Sequence, residues 1–163
     1  MKRRKLGLPR FGLGVAAMFA FASPLQAFQR VEFTHAVDLE KVEIDAAGRR
    51  SISFAPPQTL LPGDRVRCRL QFENKADAET THLSFVNPIP PELRFVGTDD
   101  VDGFAVSVDG GENFGKLAQL TLAAPGGAER AATAADVTHV QWTLAEPLPA
   151  GAVKSVTFFG AVL

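Results

Sequence analysis

Cysteine, tryptophan and tyrosine are nearly missing from this chain of 163 residues, which has one cysteine, one tryptophan and no tyrosine. The single cysteine, Cys68, excludes an intrachain disulfide and a zinc site built from several cysteines. The fold must therefore be stabilised by its core. With Trp142 as the one tryptophan, the sequence also lacks the exposed aromatic platforms that a glycosidase cleft would need.

Long apolar runs are missing after the amino terminus, so the sequence predicts no transmembrane segment there. The first residues combine a basic start with the apolar run from Phe11 to Ala22, an order typical of a secretory signal peptide. We predict cleavage after Ala27, or alternatively after Ala22. Residues 1–27 are then the signal peptide, and residues 28–163 form a single β-sandwich domain.

Basic residues are scarce outside that amino-terminal segment. It holds five of the 17 basic residues and none of the 18 acidic ones, which leaves 12 basic and 18 acidic residues and a net charge of −6. An acidic domain repels phosphates and anionic lipid, so we expect no nucleic-acid partner. The expected location is periplasmic, cell-surface or secreted.

Alternation of apolar and polar residues with a period of two dominates residues 28–163 and is typical of β-strands. In "DRVRCRLQFEN" the apolar positions include Cys68, which predicts a buried and inert thiol. Trp142 is likewise in phase with core residues. Further runs of this kind are "RVEFTH", "DLEKVEID", "RSISF", "HLSFVN", "FAVSV", "VTHVQWTL" and "KSVTFFGAVL".

Proline and glycine interrupt these runs at short intervals and indicate turns. About seven to nine short strands follow, which predicts an all-β, antiparallel sandwich of immunoglobulin type. The segment "PGGAERAATAAD" is interpreted as a loop with one helical turn. Residues 28 to about 55 are either an added hairpin or the first strands of the sandwich, and the sequence leaves both open.

The stretch "LPGDRVRCRLQFENKADAETTHLSFVNPIPPELRFVG" resembles the bacterial DUF11 family, a conserved repeat module of exported proteins. Pro62-Gly63 begins the pattern and Asn74 ends its first strand, while "WTLAEPLPAGAVKSVTFFGAVL" resembles the closing part. The resemblance covers roughly residues 56–163. It implies an immunoglobulin-like sandwich in an envelope, surface or secreted protein, without known catalysis. Cys68 departs from the aromatic residue usual at its position.

Catalytic signatures are missing from the sequence, which has no G-x-S-x-G, H-E-x-x-H, P-loop or dinucleotide fingerprint. The histidines His35, His82 and His139 are scattered and are interpreted as surface residues. We therefore expect a protein that is not an enzyme. We name no catalytic, cofactor-binding or metal-binding residue and expect no cofactor.

Acidic residues cluster in two loops, and calcium is the metal they would suit. A calcium site would have to draw on both loops, although a solvated acidic surface is the default interpretation. An EF-hand is excluded because, counted from Asp100, Gly111 occupies the twelfth position where a Glu is needed. The residues concerned are Asp99, Asp100, Asp102, Asp109 and Glu112.

The segment "SVDGGENFG", residues 107–115, resembles the Asp-box turn through Ser107, Asp109, Gly111 and Phe114. In proteins that carry it, this box is a hairpin turn lying away from catalytic centres. We expect Asp109 to bind the backbone of its own loop and Phe114 to be at least partly buried.

The function expected from these observations is that of an exported, non-enzymatic structural or protein-interaction module of the bacterial cell envelope or surface. Its partners would be other envelope or surface proteins, bound through a sheet edge. The apolar final strand "SVTFFGAVL" is one candidate for such pairing, and internal pairing is the alternative. The alternative function is a small-ligand or carbohydrate-binding module, with or without dependence on calcium.

Overall fold

The computed structural model describes residues 31–163, and the predicted signal peptide, residues 1–27, lies outside them. The described part contains β-strands and two short 3-10 turns, Leu117–Gln119 and Ala134–Asp136. None of its helical segments is long and apolar enough to cross a membrane. The ten strands are β1 (Val31–Ile44), β2 (Arg50–Ala55), β3 (Arg65–Asn74), β4 (Ser84–Pro88), β5 (Leu93–Gly97), β6 (Phe104–Ser107), β7 (Thr121–Ala123), β8 (Glu129–Ala131), β9 (His139–Thr143) and β10 (Val153–Val162).

The strands form a sandwich of two antiparallel sheets and a small additional hairpin. The larger sheet has the order β2-β1-β3-β10-β5, the smaller has the order β4-β9-β6, and β7 pairs with β8. The predicted all-β antiparallel sandwich is confirmed. The count of ten exceeds the predicted range because the β7–β8 hairpin occupies a region with little alternation.

Two local predictions differ from the structure. The runs "RVEFTH" and "DLEKVEID" form one continuous strand, because the first part of β1 pairs with β3 and the last part pairs with β2. Residues 31–55 therefore belong to the larger sheet. In "PGGAERAATAAD" the helical turn is present at Ala134–Asp136, but Glu129–Ala131 is a strand and not a loop.

The core lies between the two sheets and is built from the apolar positions of the alternating strands. Val66, Cys68, Leu70 and Phe72 of β3 are all buried, as their spacing predicts. Phe72 stacks on Phe85 of the opposite sheet. The same cluster also contains Phe95, Val106, Val137, Val140, Trp142, Val156 and Phe158.

The opposite face of β3 carries arginines that are held by carboxylates and aromatic rings. Asp38 of β1 accepts from Arg67 at 2.7 Å and from Arg69 at 2.9 Å, and it is itself buried. The Arg67 guanidinium lies 4.0 Å from the ring centre of Phe54, a cation–π contact that attaches β2 to the sheet. Arg65 pairs with Glu40 at 3.0 Å. This face is therefore partly covered by its own side chains.

Asn74 ends β3 and connects two loops through a fully buried side chain. Its amide nitrogen donates to the carbonyls of Ala78 and Leu148, each at 2.8 Å, and its Oδ1 accepts from the Ala76 N–H at 3.0 Å. The Leu148 carbonyl also accepts from the Thr80 N–H at 2.9 Å, so it binds a donor from each side of the buried amide. The position of this residue at the strand end thus fixes the loop after β3 against the loop before β10.

The final strand is paired on both sides, so the structure favours the internal alternative. Residues 153–161 of β10 pair with β3, and Phe159–Val162 pair with β5. Beyond the end of β5, the Thr157 carbonyl accepts from Thr98 Oγ1 at 2.5 Å, and the Thr157 N–H donates to Asp100 Oδ2 at 2.7 Å. β10 is therefore a central strand with little free edge.

Replacing Asn74 by alanine should destabilise the fold strongly. The substitution removes the side-chain partner of the Ala76 N–H and of the Ala78 carbonyl, whereas the Leu148 carbonyl keeps its bond from the Thr80 N–H. We expect a loss of about 1–3 kcal/mol in the free energy of unfolding. Urea unfolding followed by circular dichroism measures this loss. The matched control is Asn87→Ala, because Asn87 bonds only the exposed carbonyl of Pro88 and should change stability by less than about 0.5 kcal/mol. Equal effects of the two variants would contradict this assignment.

Candidate functional site

Residues 107–115 form a closed turn after β6 that satisfies its own polar groups. Asp109 Oδ1 accepts from Ser107 Oγ at 2.6 Å and from the N–H groups of Glu112 and Asn113 at 3.2 and 3.0 Å. Asp109 Oδ2 accepts from Asn113 Nδ2 at 2.7 Å. The Gly115 N–H and carbonyl then pair with Val106, which closes the turn.

The two glycines of this turn occupy backbone conformations that other residues rarely adopt. Gly110 has φ +82° and Gly111 has φ +92°. A side chain on Gly111 would also contact the ring of His139, since a Cβ there would lie 3.5 Å from it. Phe114 is half-buried. The expected bonding of Asp109 and the partial burial of Phe114 are thus observed, while the Asp-box name stays a resemblance.

Hydrogen bonds to Asp109 hold its pKa well below the usual range, with the Asn113 backbone N–H as the largest cause, followed by Ser107 Oγ and the Asn113 side chain. A carboxylate with this pKa is ionised at any ordinary pH. It accepts bonds from its own turn and would be a poor proton donor. Its chemistry is that of a turn anchor.

The two acidic loops lie at opposite ends of β6. Asp99, Asp100 and Asp102 precede the strand, whereas Asp109 and Glu112 follow it. Among the described residues, no group of three or more His, Cys, Asp or Glu side chains comes close enough together to hold a metal ion. The convergence on which the calcium hypothesis depended is therefore not seen between these loops.

Asp100 has a structural role in the first of these loops. Its carboxylate binds the N–H of Thr157, and its carbonyl accepts from Trp142 Nε1 at 2.8 Å. Gly103 lies at the end of the loop with φ +67°, and a Cβ at this position would collide with the Thr143 carbonyl. The loop is thus fixed against both β9 and β10.

A cavity of about 350 Å³ opens between this loop, β9 and β10. It forms where β5 ends, since the strand no longer covers the side of β10. The floor is apolar and includes buried Trp142, Leu148 and Val156. The rim carries one cation and several acids: Lys154, Asp99, Asp102 and Glu146. Strand alternation predicts the burial of Trp142 but not the cavity, because the cavity depends on where β5 stops.

The thiol and the histidines offer no nucleophilic arrangement in the described part of the chain. Burial raises the pKa of Cys68 to about 11, so the thiolate is not formed at neutral pH. His35 and His82 are exposed, as expected. His139 is half-buried, and its Nδ1 lies 3.1 Å from Thr138 Oγ1. His139 is thus only partly at the surface, because the turn at Gly111 packs against its ring.

The hairpin of β1 and β2 extends beyond the rest of the larger sheet. β3 begins at Arg65, opposite the middle of β1, so residues 41–44 have β2 as their strand neighbour. Residues 41–53 are exposed. The aliphatic side chains of Val42, Ile44 and Ile52 are 46%, 71% and 51% exposed, which is more apolar surface than a solvated hairpin needs.

Comparison with models of known protein families finds no match to this chain. Comparisons with curated proteins and with solved structures also find no significant match. The resemblance to the DUF11 family stays a prediction from the turn-and-strand pattern.

The turn carboxylate makes a specific prediction about acid stability. The pKa of Asp109 is lower in the folded state than its unfolded value of about 3.9, so its ionised form stabilises the fold above that pH. This contribution is lost as the pH falls through the folded pKa. We expect the difference in unfolding free energy between the wild type and Asp109→Asn to shrink as the pH falls from about 5 to about 2.

Urea unfolding at a series of pH values measures this difference. The matched control is Asp102→Asn, because Asp102 is exposed and its carboxylate accepts no hydrogen bond from residues 31–163. The difference in unfolding free energy between Asp102→Asn and the wild type should change less with pH. A difference for Asp109→Asn that stays constant or grows on acidification would refute the proposed role of the carboxylate.

Proposed function

We propose that this chain is an exported, non-enzymatic structural or protein-interaction module of the bacterial cell envelope or surface. The observation that carries the proposal is the extended β1–β2 hairpin, which combines exposed aliphatic side chains with a strand edge. A protein that works by contact needs such a surface, and main-chain pairing at a sheet edge is a common mode of recognition. The basic and apolar amino-terminal pattern and the DUF11 resemblance support export.

The titratable groups support a non-enzymatic role. The carboxylates of Asp109 and Asp136 have pKa values below the usual range, the first through its turn and the second chiefly through a pair with Arg130. A general acid needs a raised carboxyl pKa, and a cysteine nucleophile needs a lowered thiol pKa. In this chain the pKa values of these two carboxyl groups are lowered and the pKa of the Cys68 thiol is raised. Each of these pKa shifts has a structural cause.

Export can be tested with the full chain expressed in a bacterial host. We expect the protein outside the cytoplasm, with a mass that corresponds to removal of residues 1–27. Cell fractionation and intact-mass measurement check both points, and Ala27→Asp, which replaces the small residue before the predicted cut, should block cleavage there. The uncleaved protein in the cytoplasm would contradict the proposal, whereas a cut after Ala22 would change only the boundary.

A small-ligand or carbohydrate-binding module is the second candidate, and the cavity beside β10 is the observation that favours it. Its volume of about 350 Å³ is near the lower end of the range for ligand pockets. An apolar floor with polar groups at the rim is the usual composition of such sites. The acidic rim would favour a cationic ligand or a hydrated cation.

Trp142 provides a built-in reporter for this candidate, because the one tryptophan of the chain lies in the cavity wall. Occupancy should shift its fluorescence emission and raise Tm. The protein is titrated with calcium, and separately with monosaccharides and oligosaccharides, up to about 10 mM. For calcium this concentration is above the largest dissociation constants of extracellular calcium-binding modules. A saturable shift that is lost in Leu148→Phe, which fills the cavity without adding a second tryptophan, would favour a binding module. No shift with any of these probes would leave the interaction module as the better proposal.

A further inference from the structure

The outward edge of β2 exposes unpaired backbone groups in the described part of the chain. The Asp45 N–H donates to the Arg49 carbonyl at 3.0 Å, which sets the first hydrogen-bonded pair at the hairpin end. Such pairs alternate along antiparallel strands, so the odd-numbered residues of β2 direct their N–H and C=O groups toward β1. The corresponding groups of Arg50, Ile52 and Phe54 face outward. We name these three residues the β2 edge.

The two edges of the smaller sheet are protected against pairing, in contrast to the β2 edge. β4 ends at Pro88, which has no N–H group, and β6 is covered by Gly115, which exchanges two hydrogen bonds with Val106 at 2.9 and 3.0 Å. β2 contains no proline or lysine, and Pro56 comes only after its last residue. Strands without such protection accept another strand.

We infer that the partner of the β2 edge is a second copy of this chain, with the two β2 strands antiparallel across a two-fold axis. This inference rests on the proposed interaction function and names its partner. A two-fold axis perpendicular to the sheet keeps every side chain on its own face. The ladder must therefore pair residues of the β2 edge with residues of the same edge in the second copy.

One register satisfies this condition best. With Ile52 opposite Ile52 of the second copy, Arg50 lies opposite Phe54, and all three residues of the β2 edge form pairs. This register gives about six hydrogen bonds between the copies. A shift by two residues in one direction leaves Phe54 unpaired, and a shift in the other direction brings Pro56 into the ladder. The backbone thus favours the register with Ile52 at the two-fold axis.

The side chains are self-complementary in the same register. On one face, the Arg50 guanidinium lies beside the Phe54 ring of the second copy, a pairing of cation and aromatic ring that is favourable on a sheet surface. Val42 and Ile52, cross-strand partners within the hairpin, join their counterparts in one apolar row across four strands. On the other face, Ser51 lies opposite Ser53. No pair places like charges opposite each other.

The self-association can be measured by sedimentation of the protein purified after expression of the full chain. Strand-edge contacts of this size are at the weak end of specific interfaces, so the series should run from about 1 µM to about 1 mM. We expect a monomer–dimer equilibrium in this range. In Ile52→Lys two cations meet at the two-fold axis, and the dissociation constant should rise by at least about tenfold.

The matched control is Val86→Lys, which makes the same kind of change on β4 at a residue of similar exposure, 50% against 51% for Ile52. It should dimerise like the wild type. Unchanged circular dichroism of both variants shows that the fold is retained. A monomeric wild type at about 1 mM, or a loss of dimer in Val86→Lys but not in Ile52→Lys, overturns the inference.

Cross-linking tests the register directly. In Ile52→Cys the two thiols face each other across the axis, and the Cα separation of about 5.5 Å expected for a hydrogen-bonded pair suits a disulfide. Oxidation with diamide should give a covalent dimer of Ile52→Cys and leave Ile44→Cys monomeric, because Ile44 is on β1 and far from the axis. The native Cys68 is buried and should not react. Efficient cross-linking of Ile44→Cys instead would overturn the register.

Failure of this inference is separable from failure of the proposed function. Exported, processed protein that stays monomeric in all of these measurements refutes the second copy as partner but leaves an envelope interaction module in place. Unprocessed cytoplasmic protein that nevertheless dimerises through Ile52 refutes export and retains the β2 edge as an interface.

Discussion

The backbone of β3 pairs with β1 on one side and β10 on the other, so its side chains alone remain to direct packing. Their strict alternation sends valine, cysteine, leucine and phenylalanine into the sandwich and arginines to the opposite face. Each face of β3 then determines which part of the structure packs against it. The inner face sets where the smaller sheet packs, and the outer face holds the first hairpin through Asp38 and the contact of Arg67 with Phe54.

In this arrangement the residues that stabilise the fold are different from those of the β2 edge, the proposed interface. The polar groups of Asn74 and of the turn at Asp109 form hydrogen bonds within their own surroundings. Little of the hydrogen-bonding capacity of either site remains for a ligand. The β2 edge is different, since its outward backbone groups have no strand partner among residues 31–163 and the Ile52 side chain is half exposed. A module that functions through contact would be expected to leave such a surface at its periphery, supported by a rigid sheet.

The sequence allowed the main strands, the buried thiol and the buried tryptophan to be predicted, because period-two alternation reports directly which side of a strand faces a core. The turn at residues 107–115 could also be predicted, since its glycines and aspartate act within a few residues of each other. Pairing could not be predicted in the same way. That β1 divides its length between β3 and β2, and that β5 ends early and opens a cavity, depends on contacts between residues distant in the chain. The partial burial of His139 could not be predicted for the same reason, because Gly111 packs on it from another segment.

The position of β10 has a consequence for the order of folding. It is the last strand in the chain and lies between β3 and β5, so the larger sheet cannot close until residues 153–162 have been synthesised. Loop closure over so long a separation is slow, and until it occurs the edge of β3 that pairs with β10 has no partner.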